Sequence, residues 1–131
     1  FVPVLSRGQT MGHRLTRLRV VTAVCDAGGN PVVLLRDDDA YIASVDIAAN
    51  KAFTSVSLKM TTAELGRLAQ PGAPLYGVQH TNAGRIVIFG GGVPLVRDGA
   101  IIGGFGVSGG SAEQDTALAD YALDFFGKEM L

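Results

Sequence analysis

The chain has 131 residues and a net charge of −1, from 11 Lys and Arg against 12 Asp and Glu. That length gives one domain, spanning residues 1–131. The balanced charge excludes the electrostatic footprint of a nucleic-acid binder or a basic membrane-surface protein, and a single cysteine, Cys25, excludes a disulfide framework and any CxxC metal motif.

In chain order, apolar residues at Leu5, Met11, Leu15 and Leu18 predict a helix over about 5–18, since the last three share one helical face. Gly8 and Gly12 weaken it by about 1 kcal/mol each relative to alanine. The β-branched run Val20–Cys25, the turn Asp26–Asn30 and the run Pro31–Arg36 read as a hairpin. Ile47, Ala48, Ala52 and Val56 mark a helix over about 44–58. Thr61-Thr62-Ala63-Glu64 is a capping box, in which Thr61 accepts from the amide of Glu64, so a short helix runs to about Ala69. Pro71, Gly72 and Pro74 end it.

Arg85–Phe89 has high β propensity and reads as a strand. Gly90-Gly91-Gly92 interrupts, and Val93–Val96 extends again. Arg97-Asp98-Gly99 is a hairpin turn leading to a strand over Ala100–Val107. Ser111-Ala112-Glu113-Gln114 is a second capping box, opening a helix to about Phe126 whose inner face carries Leu118, Tyr121, Ala122 and Phe125. Hairpins dominate, so the fold class is α+β, an antiparallel five-stranded sheet with helices packed on it.

Only 18% of residues are charged, and 47% are hydrophobic. A domain this small buries about two-thirds of its unfolded surface, which leaves apolar side chains to be covered at a subunit interface. A homo-oligomer is expected. No apolar run approaches the roughly 20 residues of a membrane span. No basic region followed by an apolar stretch opens the chain, so a cytoplasmic location is expected.

Gly104-Phe105-Gly106-Val107-Ser108-Gly109 fits GxGxxG, but a dinucleotide site needs a second parallel strand after the following helix, and the sequence ends a few residues past it. Gly106-Val107-Ser108-Gly109-Gly110 fits the nucleophile elbow GxSxG, which needs a later histidine. His13 and His80 both come earlier. The plainer reading is that these glycines let the strand pass close to another backbone or to a ligand. Amides at the Gly109-Gly110-Ser111 helix start could hold a carboxylate or phosphate.

Two separated histidines do not make a zinc motif, and no metal site is expected. One imidazole suffices for a haem iron, and His13 could supply it. Asp37-Asp38-Asp39 reads as a solvated turn. Lys51 sits among Ala48, Ala49, Ala52 and Phe53, with Asp46 on the same helix. If that face is buried, its ammonium must find a carboxylate or carbonyl.

Four ordered motifs carry a resemblance. The runs Val20–Asn30 and Ser44–Thr54, with Lys-Ala-Phe-Thr at 51–54, look like a family's first hairpin and central helix. Phe89–Leu95 and Ile102–Gly109, followed by Gln114-Asp115, look like its C-terminal signature. The chain resembles the GlcG/HbpS-like family, which includes the C-terminal domain of PduO-type corrinoid adenosyltransferases. The resemblance implies a profilin-like α+β fold and a homo-oligomer, often an octamer. It implies haem as cofactor in some members, with a histidine near the N-terminus beside it. His13 is the candidate here.

Three functions follow as expectations. The first is a binding module for haem or a related tetrapyrrole at a subunit edge. The second is an enzyme on a small organic acid in a catabolic pathway, with Lys51 and Asp46 as chemistry and the Gly109-Gly110-Ser111 amides as carboxylate holder. The third is an accessory scaffold without chemistry.

Overall fold

The computed structural model describes residues 18–129. The helix expected over about 5–18 therefore lies, apart from Leu18, outside the described residues, and His13 lies outside them too. The elements run β1 (Val21–Asp26), β2 (Pro31–Arg36), α1 (Ala43–Ser57), α2 (Thr62–Leu68), β3 (Gly92–Arg97), β4 (Ala100–Ser108) and α3 (Ala112–Glu129), with two 3₁₀ turns between α2 and β3.

The sheet is antiparallel, in the order β2-β1-β4-β3. Both hairpins form as the sequence predicts. At the first turn the Asp26 carboxylate accepts from the amides of Gly28 and Asn30, both at 2.9 Å. Such a side-chain-to-backbone bond is what Asp brings to a turn. β1 and β4 are central. β2 and β3 are the edges, and each carries a proline, Pro31 at the start of one and Pro94 within the other.

The two faces of the sheet differ in how they are filled. On one, Val24, Val93, Leu95, Phe105 and Val107 meet Leu118, Ala119, Ala122 and Phe126 of α3 in an ordinary side-chain core. On the other, α1 lies directly on glycines. A Cβ at Gly104 or Gly106 would collide with the backbone carbonyls of Ala52 and Ala48, and one at Gly92 with that of Lys51. Gly104 and Gly106, the first two glycines matching GxGxxG, thus serve helix–sheet contact.

The expected fifth strand is not there. Among the described residues the sheet has four strands, and Arg85–Phe89 forms no ladder. Two of its backbone groups bond to α1 instead. The Thr54 hydroxyl donates to the Arg85 carbonyl at 3.3 Å and accepts from the Val87 amide at 3.1 Å. Ile86 and Val87 are still buried, so the segment has a strand's burial without its pairing. No helix among the described residues is long and apolar enough to cross a membrane.

Candidate functional site

Lys51 is fully buried, at 0% exposure. It lies on the sheet-facing side of α1, which places its ammonium at the end of β4. There it donates to the Val107 carbonyl at 2.8 Å and to the Asp115 carboxylate at 3.0 Å. Burial lowers its pKa, and the Asp115 charge and hydrogen bond pull it back up. The Phe89 ring sits 5.1 Å from the ammonium, within cation–π range. Gly91 closes the cage. It holds a φ of +124°, and a Cβ there would come within 2.6 Å of the Lys51 nitrogen.

Asp115 is the residue that the sequence reading missed. It lies in the first turn of α3, where a negative charge is favoured by the helix dipole. One carboxylate oxygen takes Lys51, and the other accepts from the Gly110 amide at 2.9 Å. A signal for it was present. Asp115, Leu118, Ala119 and Ala122 follow the i, i+3, i+4, i+7 spacing of one helical face, so a carboxylate stood in a buried stripe.

The structure does not bring Asp46 to this ammonium. Asp46 is exposed on α1, while the polar partners of Lys51 are Asp115 and Val107. The Gly109-Gly110-Ser111 amides are also largely spoken for. Gly110 donates to Asp115. Ser111 donates to the Gln114 side chain at 2.9 Å, while the Ser111 hydroxyl accepts from the Gln114 amide at 3.1 Å. That is a complete capping box. His80 is exposed on a 3₁₀ turn. No group of three His, Cys, Asp or Glu side chains among the described residues could hold a metal ion.

Beside the Lys51–Asp115 pair a cleft of about 410 Å³ opens between the starts of α1 and α3. Its floor is polar and its mouth apolar. Ser44 and Ser108 meet on the floor with their hydroxyl oxygens 3.0 Å apart, both residues buried. At the mouth stand Tyr41, Ile42 and Phe89, exposed by 72%, 84% and 46%. A second groove, about 530 Å³, lies on the far side of Phe89 and reaches Arg67 and Glu113. Phe89 therefore stands between two concavities, resting against a buried cation.

Comparisons with known proteins agree with this architecture. An uncharacterized 15.0 kDa protein from the dhaT-dhaS intergenic region of Citrobacter freundii is 52% identical over 109 residues, 83% of this chain and 77% of that protein. The corrinoid adenosyltransferase PduO of the same organism is 42% identical over 91% of this chain. That match takes in only 36% of PduO, so this chain corresponds to about a third of it. The crystal structure of a PduOC:heme complex superposes with a TM-score of 0.89 at 41% identity, covering 94% of this chain and 89% of that one. Residues 6–124 match the family described as haem degrading protein HbpS-like, and the chain belongs to that family.

Proposed function

We propose that this protein binds haem or a related tetrapyrrole at a subunit edge of a homo-oligomer, on a profilin-like scaffold. The observation that carries the reading is the haem complex of PduOC, a protein 41% identical over nearly the whole chain. The described residues fit the ring better than the iron. Tyr41, Ile42 and Phe89 offer contiguous apolar surface at the mouth of the cleft, and a flat macrocycle laid there would cover what water now wets. Among the described residues no histidine lines that cleft, and His13, which the family resemblance puts forward, is the residue that would hold the iron. Bound iron would supply the ligand-binding and redox chemistry of haem. The protein's part is to hold the ring and shield one face.

A hemin titration of the purified protein tests this. A saturable red-shifted Soret band, at about one haem per subunit or per dimer, is expected in the wild type and lost in His13→Ala. A titration showing only free hemin would overturn the reading. A retained Soret band in His13→Ala would remove His13 from it.

The alternative is an enzyme on a small organic acid through Lys51 and Asp46. Its lysine is sealed from solvent and ion-paired. That supports a positioning role for Lys51 over one as base or nucleophile, because a reacting amine must reach its substrate. The scaffold reading would leave the cleft without a ligand.

A further inference from the structure

We propose that the floor of the cleft between α1 and α3 binds a small, largely apolar molecule that ends in a carbonyl or carboxyl oxygen. The proposal goes beyond haem binding and does not depend on it.

The first ground is the serine pair. Each hydroxyl has one hydrogen, and only one of the two can lie between Ser44 and Ser108. Neither hydroxyl has another partner among the described residues. One donor is therefore left over, on buried side chains that line the cleft. A buried donor without an acceptor is costly, and a ligand oxygen would satisfy it.

The second ground is the start of α1, which no side chain among the described residues caps. Its first turn tightens, with the amides of Ser44 and Val45 donating to the carbonyls of Tyr41 and Ile42. The Ala43 amide, in the cleft lining, has no acceptor among the described residues. Helix starts of this kind favour an electron-rich oxygen.

The third ground is charge. Asp115 also borders the cleft, but Lys51 and the Gly110 amide hold both of its oxygens. Asp46, in the first turn of α1, faces solvent. Among the described residues the floor is thus a donor site with no uncompensated positive charge, which suits a carbonyl as well as a carboxylate. Ile42, Ile47 and Phe89 would flank the apolar body. A few convergent polar groups in an otherwise apolar concavity is the usual form of a small-molecule site.

The test is a titration of isotope-labelled protein, followed by amide NMR shifts, with benzoate, benzamide and benzylamine as probes. Benzoate and benzamide are expected to give saturable shifts around Ala43, Ser44 and Ser108–Gly110, and benzylamine none. The Ser44→Ala/Ser108→Ala variant should bind the first two roughly five- to tenfold more weakly. Ser108→Ala alone serves if the double variant does not fold. Repeating the titration in His13→Ala separates this site from the haem reading, since the probe shifts should be unchanged there. The proposal fails if neither carbonyl probe saturates, if benzylamine binds equally well, or if a folded serine variant binds undiminished.

Discussion

Two helices begin at the same cleft, and they begin differently. α3 is closed by its own side chains: Asp115 holds the Gly110 amide, Gln114 holds that of Ser111, and Ser111 holds that of Gln114. α1 starts with Ile42 and Ala43 and has no side-chain cap among the described residues. From the sequence, the glycine-flanked start of α3 looks like the anion site. In the folded chain the carboxylate at that site is the helix's own, and the open end is the one without a recognisable motif. A capping box announces where a helix starts, and for the same reason it uses up the donors that a ligand would need.

The comparison can be broken most severely at Asp115. Asp115→Ala leaves the Lys51 ammonium buried with no counter-charge, which should cost about 3–5 kcal/mol. The urea midpoint measures it. Replacing both partners, as in Lys51→Met/Asp115→Leu, should recover most of that loss, because an apolar pair of similar volume is often neutral. A double variant as unstable as Asp115→Ala would show that Asp115 acts mainly through Gly110.

A test of the helix–sheet contact beside Lys51 comes next in size. Gly106→Ala places a methyl against the Ala48 carbonyl, and overpacking should cost about 1–3 kcal/mol. The melting temperature reports it. An unchanged value would mean that α1 can lift from the sheet.

The two helix starts are then sharpened directly. Ser111→Ala should cost about 1 kcal/mol, as the loss of a cap does. Ile42→Asp should gain roughly 0.3–1 kcal/mol by placing a negative charge at the open start of α1. Opposite signs in thermal melts would confirm that one end is filled and the other is free.

The smallest effect is a pH dependence. Lys51 has its pKa lowered from 10.5, by burial first, with Asp115 opposing. Between that lowered value and 10.5 the unfolded chain holds a proton that the folded chain has released. Stability from this group therefore rises with pH through that window and is lost as pH falls through the folded pKa. Urea midpoints from neutral pH to about 10.5 should show the rise in the wild type and not in Lys51→Met.

Much of the fold was legible because its signals are local. Both hairpins carry turn residues at the turn, the Ser111–Gln114 capping box forms in full, and Thr61 accepts from the Glu64 amide at 3.1 Å. Arg85–Phe89 misled because β propensity registers side chains that suit burial. It cannot register that Thr54, more than thirty residues earlier, takes the backbone bonds that a neighbouring strand would have made. The Lys51–Asp115 pair was half legible. The sequence required a carboxylate or carbonyl partner for a lysine on an apolar face and did not name it. The true partner is 64 residues away, joined by topology and visible only as a carboxylate in a buried stripe. The Ser44–Ser108 contact spans the same distance and left no sequence signal.

The prolines at the two margins of the sheet have a consequence for how copies of this chain can meet. An unpaired strand is a template on which another chain can crystallise its own strand, and uncontrolled growth of that kind ends in fibrils. Pro31 and Pro94 each delete a donor from an outer strand. Continuous sheets running from one subunit into the next are thereby disfavoured on both sides. Where copies of this chain meet, side-chain surfaces rather than the sheet margins are the favoured contacts.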